Sequence, residues 1–358
     1  MKRLITPACL VVICLLGLAE VGARLFFAND ISGRFDYGYN PHAGFAEHKD
    51  GTVELFRAGG RRFFPQTFQR RRPPGVFRIF TVGDSVPRGP GLHKAYPWLV
   101  GQELRQHGIQ AESINLAVPG YGARRCQIVL TKALEYNPSL VILHFDDYNK
   151  WEDEREWRRS QEFNGWHPSH WLMKVFIFRR LYEAKIEKVF WPLVPQEIRL
   201  RYAVNDADAQ VIAGQDPKEV AARIKLAYDT AVQNVAMIRG QGIPVILVTQ
   251  CRLAEDDNHQ FHLTDHGLDA LGESLAGSGV YHISMKQVLA GEDIKQIFAN
   301  FSGHLHKDGH QLMARAIFEK IKQERAALGL PEPNVAIAGQ YPAAKTTLPA
   351  ALSEPAKP

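Results

Sequence analysis

Five short apolar runs, each followed by a longer stretch with helical spacing, constrain this chain more than any other feature. They are FRIFTV (77–82), ESINLA (112–117), SLVILHF (139–145), IPVILVT (243–249) and VYHIS (280–284). A strand with one wet face alternates apolar and polar residues. These runs are mostly continuous and β-branched, the pattern of strands covered on both faces. Segments such as KAYPWLVGQELRQHG, ARRCQIVLTKALEY and PKEVAARIKLAYDTAVQNVAMIRGQG supply the covering helices. The alternation predicts an α/β domain over 75–327, with a doubly wound five-stranded parallel sheet inside a three-layer αβα sandwich.

Outside that pattern the chain reads differently. Met1-Lys2-Arg3 precedes the apolar run LITPACLVVICLLGLAEVGARLFF, and residues 1–27 are expected to form an N-terminal membrane anchor or signal-anchor. Leu4 to Ala19 alone falls short of the ~20 residues that a span needs, and continuing through Leu25-Phe26-Phe27 restores the length. Lys2 and Arg3 then stay cytoplasmic and the rest of the chain faces outward. A cleaved signal peptide ending at Gly22-Ala23 is the rival, weakened by Glu20 and the Leu-Phe-Phe that follows. Residues 28–74 read as a linker that partly packs on the domain. Residues 150–215 read as a helical insertion, whose WLMKVFIFRRLYEAKIEKVFW suits a lid, a membrane-surface helix or a packed helix with solvated charges. The Pro/Ala-rich tail 328–358 is expected to be disordered.

A net charge of +5 over 358 residues, without a sustained basic stripe, excludes nucleic acid as a partner. Four cysteines make no disulfide framework. Cys9 and Cys14 lie in the apolar segment, and Cys126 and Cys251 read as buried free thiols.

In a doubly wound sheet, ligands bind beyond the carboxyl ends of the strands. Gly83-Asp84-Ser85 follows the first run, Pro119-Gly120-Tyr121-Gly122 the second, and Asp146-Asp147-Tyr148-Asn149 the third. After the fifth comes FSGHLHKDGHQLMA (301–314). A serine hydroxyl needs a base to take its proton, and the oxyanion it generates needs fixed donors. Ser85 is the candidate nucleophile, and a histidine of the 304–310 group the candidate base. Ser85 and Gly120 would offer backbone N–H groups to the oxyanion, and Asn149 a side-chain amide.

These blocks resemble those of the SGNH (GDSL-type) hydrolases. FRIFTVGDSVPRG is similar to their first block, INLAVPGYG to the second, VILHFDDYN to the third and HLHKDGHQLMA to the last. The resemblance implies a flavodoxin-like SGNH hydrolase fold, Ser85 and His304 as the catalytic pair, and Ser85, Gly120 and Asn149 as the oxyanion hole. It implies an acyl-serine esterase that needs neither cofactor nor metal, acting on ester-linked acyl groups, acetyl above all, of a carbohydrate or small ester. An anchor ahead of such a domain is similar to membrane-tethered bacterial members, which implies an inner-membrane protein with a periplasmic catalytic domain.

Two departures from the family pattern stand out. The family places an Asp two or three residues before its His, where this chain has Ser302 and Phe301. Either a backbone carbonyl orients the imidazole of a Ser–His dyad, or an acid such as Asp146 or Asp147 stands in; Asp84 reads as a hydrogen-bond partner under its own turn. The third block also has Tyr148 and Lys150 around Asn149. Alternatives are an O-acyltransferase using the same Ser–His site, a catalytically weak or inactive scaffold that binds an acylated polymer, and a metal-dependent hydrolase built on His304, His306, Asp308 and His310. The second histidine group, His259, His262 and His266, reads as a polar loop.

Overall fold

The computed structural model describes residues 7–31, 44–55, 63–146 and 217–338. The apolar runs form β4 (Phe77–Val82), β5 (Ala111–Asn115), β6 (Leu140–Phe145), β7 (Val245–Thr249) and β10 (Val280–Ser284). They hydrogen-bond in the order β10-β7-β6-β4-β5, parallel at every pairing. This is the doubly wound, flavodoxin-like order, in which β4, the first strand of this sheet in the chain, lies between the second (β5) and the third (β6). Every residue of β4, β6 and β7 is buried, which is why these runs show no polar alternation.

One layer packs α3 (Tyr96–Gln106) against α9 (Lys307–Gln323), beside the short helices α7 (Met285–Val288) and α8 (Ile294–Ile297). The opposite layer packs α4 (Ala123–Ala133) against α5 (Pro217–Gly240), with α6 (Leu268–Leu275) over β7 and β10. Helix α2 (Ser85–Arg88) is a single turn directly after β4. Cys126 lies in the α4 layer and Cys251 in the α9 layer, so the sheet separates these two buried cysteines, neither of which is in a disulfide.

The segment expected as a linker carries more structure than its composition suggests. β1 (Phe45–Glu47), β2 (Thr52–Leu55) and β3 (Gln66–Gln69) form an antiparallel sheet that buries Phe45, Val53, Leu55 and Phe68 in the α4-side core. Arg78 of β4 is fully buried. Its Nε donates to Glu112, and its two terminal nitrogens donate to the Tyr136 and Gln69 carbonyls, each at 2.7 Å. Those bonds satisfy the charge and tie the small sheet to the large one.

The stretch holding His259, His262 and His266 is likewise more than a loop: β8 (Arg252–Glu255) and β9 (Phe261–Thr264) form a hairpin through most of it. Packing also continues past residue 327. Leu328 is buried, Asn334 donates its backbone N–H to Gly108 at 2.7 Å, and α10 (Val335–Ala338) follows. Helix α1 (Pro7–Ile31) leaves Leu10, Val11, Ile13, Leu15, Leu16, Leu18 and Val21 exposed. Among the described residues no helix is long and apolar enough to cross a membrane. The insertion expected over 150–215 and the tail beyond 338 lie outside the described residues.

Candidate active site

The site is assembled where β4 and the loop before α9 meet at the carboxyl edge of the sheet. Asp84 ends the strand connection and caps α2, its Oδ1 accepting from the Val86 N–H at 3.0 Å. That is the structural role expected of it. The sharp exit from the strand needs a glycine at 83. A Cβ there would stand 2.7 Å from Pro87 Cγ and 2.9 Å from His144 Cβ. Ser85 is thus presented, half-buried, at the first position of α2.

His304 reaches it across the sheet edge, with Nε2 2.8 Å from Ser85 Oγ. Its other nitrogen, Nδ1, lies 2.9 Å from Asn300 Oδ1. The same oxygen accepts the backbone N–H of Ser302 at 3.1 Å and of His304 at 3.4 Å. Only the carbonyl end of an amide accepts, so these two donors fix which end of Asn300 faces the ring. Nδ1 therefore carries the proton, and the Nε2 lone pair is left to accept from the serine hydroxyl. Burial holds the imidazole below its ordinary pKa; the Asp146 charge pulls the other way and Arg252 pushes down again.

Asn300 is the orienting group that the sequence reading missed. The family pattern puts its acid two or three residues before the histidine, whereas the partner here stands four before it. The loop makes this possible. Phe298 and Leu305 form an antiparallel bridge, Ala299 donates to the His304 carbonyl at 2.8 Å, and the residues between fold back so that Asn300 lies beside the ring. An Asx-type turn residue just inside that bridge was the available signal.

Asp146 does not take the third place. It pairs with Arg252 Nη2 at 2.5 Å, and its charge is felt at His304. Gly120 occupies a Val118–Tyr121 turn, with φ 75° after Pro119, where a side chain would be strained. The Val118 N–H donates to the Gly83 carbonyl at 3.0 Å, fastening that turn to the one bearing Ser85. Asn149 and Asp147 lie outside the described residues.

The histidine cluster of 304–310 is dispersed. His306 and Asp308 face solvent, while His310 is buried with its Nδ1 3.4 Å from the Tyr96 backbone N–H. Burial first, then the neighbouring His144 and His304, pushes His310 down to about 4. Among the described residues no group of three or more His, Cys, Asp or Glu is placed to hold a metal ion.

Beneath the site runs a buried polar chain. Tyr96 Oη lies 3.0 Å from His144 Nδ1, His144 Nε2 lies 2.9 Å from Gln250 Oε1, and Gln250 Nε2 donates to the Ser302 carbonyl at 2.9 Å. Chemically, the arrangement offers a hydroxyl whose proton can pass to a correctly protonated imidazole, beside turns rich in backbone N–H.

No protein-family model and no curated protein matches the chain. Solved structures similar to it include an acetyl xylan esterase at 15% identity, covering 68% of this chain and 99% of that one, with a TM-score of 0.39. A catalytic mutant of an acetylxylan esterase from Geobacillus stearothermophilus stands at 13% identity, 68% and 93% coverage and a TM-score of 0.40. A GDSL-like lipase from Bacteroides thetaiotaomicron stands at 10% identity, 69% and 88% coverage and a TM-score of 0.35. With scores this low the likeness carries no argument about chemistry; the placement of Ser85, His304 and Asn300 does.

Proposed function

We propose that the chain is a serine esterase of the SGNH type. The observation that carries this reading is the relay Ser85 Oγ–His304 Nε2 at 2.8 Å and His304 Nδ1–Asn300 Oδ1 at 2.9 Å. Ser85 Oγ attacks the ester carbonyl while its proton passes to His304 Nε2. The Ser85 and Gly120 N–H groups, with the Asn149 amide, hold the oxyanion. The tetrahedral intermediate collapses as His304 returns the proton to the departing alcohol. Water, deprotonated by the same imidazole, then attacks the acyl-serine and releases the acid. Asn300 holds the ring in the required tautomer and supplies no charge, so the imidazolium formed in each step is stabilised less than beside a carboxylate.

An acetylated carbohydrate or a short-chain ester is the proposed substrate, on the strength of the family resemblance. The exposed apolar side chains from Leu10 to Val21 support lipid contact by α1, and so a tethered enzyme whose catalytic domain works at the outer face of a bacterial inner membrane.

The test is the intact mass of the full chain, held in detergent, after a fluorophosphonate probe. One adduct on the wild type that is missing from Ser85→Ala supports the reading. Folded wild-type protein that takes no adduct would leave the scaffold reading in its place.

A further inference from the structure

Two loops must be held in register for Ser85 and His304 to meet, and the floor they share is built from β6 and β7. Gly83 lies directly on His144, with no room for a Cβ between them. On the other side, a Cβ at Gly303, where φ is +86°, would stand 2.5 Å from the Cys251 carbonyl oxygen and 2.9 Å from Gln250 Nε2. The nucleophile turn rests on His144, and the histidine loop rests on Gln250.

A hydrogen bond of 2.9 Å joins those two side chains, His144 in β6 and Gln250 one residue past the end of β7. The donor directions are all determined. Gln250 Nε2 donates to the Ser302 carbonyl, so Oε1 accepts from His144 Nε2–H, and His144 Nδ1 accepts from the Tyr96 hydroxyl. Gln250 and His144 are 1% and 3% exposed. Burial pushes His144 down to about 4, which keeps it the neutral imidazole that this pattern requires.

We infer that Gln250, backed by His144, is a positioning residue that sets the distance between His304 and Ser85 by tethering the Ser302 carbonyl. It touches neither substrate nor reacting atoms. The inference rests on the serine-esterase reading, because a tether on His304 matters to rate only if His304 is the base. A displacement of about 1 Å at a reacting pair can cost on the order of 10²-fold.

The experiment uses the full chain in detergent, with two readouts: the second-order rate of fluorophosphonate labelling at Ser85, and kcat and KM for p-nitrophenyl acetate. Gln250→Met keeps the length and apolar volume but removes both hydrogen bonds. It is expected to lower kcat and labelling together by about 10- to 100-fold, with KM within about threefold of wild type. His144→Leu is expected to lose a similar factor. His144→Gln, whose amide nitrogen can reach Gln250 Oε1, is expected to recover most of it.

A merely structural role would not produce that split, nor the rescue by glutamine. Folded Gln250→Met labelled as fast as wild type overturns the inference and leaves the esterase reading standing. Wild type that resists labelling overturns the esterase reading itself. If Gln250→Met does not fold, the His144 pair decides: equal rates in Leu and Gln variants overturn the tether.

Discussion

Two clusters of hydroxyl, imidazole and polar acceptor sit near the same edge of the sheet, and only one aims an imidazole lone pair at an accessible serine. At the ends of β7 and β10, Ser284, Asp269, Thr249 and His282 contain every residue type of a Ser–His–Asp triad. Asp269 accepts the Ser284 hydroxyl through Oδ2 and the Thr249 hydroxyl through Oδ1, each at 2.5 Å. Thr249 Oγ1 also lies 2.8 Å from His282 Nε2. Since Thr249 gives its proton to the carboxylate, His282 donates to Thr249 and has no lone pair there to act as base. Ser284 Oγ further accepts the Gln287 N–H at 3.1 Å, capping α7. Thr249 is fully buried and Ser284 4% exposed, so no ester could reach either.

The Ser85 cluster has a neutral amide where the other has a carboxylate. Its serine is half-buried, however, and its imidazole offers a lone pair to that hydroxyl. Residue types therefore do not distinguish a site from a satisfied polar core; the direction of each proton and access to the hydroxyl do. The carboxylate of Asp269 pins α6 to the sheet, and the amide of Asn300 aims an imidazole at Ser85.

The sharpest way to break this comparison is to remove each serine. Ser85→Ala should reduce turnover by about 10³-fold or more while leaving urea stability within about 0.5 kcal/mol. The next largest effect is expected at Asp269→Ala, which leaves two buried hydroxyls without their acceptor. It should destabilise the fold by about 2–4 kcal/mol in urea melts, yet label at Ser85 within a fewfold of wild type below its midpoint. If Asp269→Ala abolished labelling in folded protein, the assignment of the two clusters would be reversed.

Asn300→Asp sharpens the contrast by restoring the missing charge. A carboxylate facing Nδ1–H favours the imidazolium, so the plateau kcat should rise by on the order of tenfold. The sign for pH follows from the same interaction. His304 acts as base only when neutral, and burial holds it below 6.5, so the wild-type acid limb of kcat/KM lies below that value. In Asn300→Asp the limb moves to higher pH, making the gain large at pH 8 and small at pH 5. Unchanged kcat and an unchanged limb would show that residue 300 does not face the ring in solution. The smallest effect belongs to Ser284→Ala, expected to lose about 1 kcal/mol of stability and no labelling at all.

Much of the fold was legible because a strand buried on both faces must be apolar along its whole length. β4, β6 and β7 announce themselves for that reason. The small antiparallel sheet was not legible. Its TVEL does alternate, with Val53 and Leu55 inward and Glu54 outward, but four residues give the period too little length to separate from loop. Ser85 was a candidate from its strand-end position, His304 was picked from its group by the resemblance of its block, and the structure brings the two together. Asn300 was not legible, because an Asn near a turn serves its own backbone in most settings, and here it does that as well.

The sequence by itself determined the layers, the strand edge at which polar turns gather, and Ser85 and a histidine group as candidates to meet there. Those follow from local rules: apolar continuity, helical period, and the short polar turn after each strand. Only the tertiary structure decided that Asn300 orients the imidazole, that Asp146 belongs to Arg252, and that Gln250 holds the Ser302 carbonyl. Asp146–Arg252 and Gln250–Ser302 join residues far apart in the chain, and the Asn300 contact depends on the Phe298–Leu305 bridge closing its loop. Hydrogen-bond direction is a property of neighbours in space, and no local pattern encodes it.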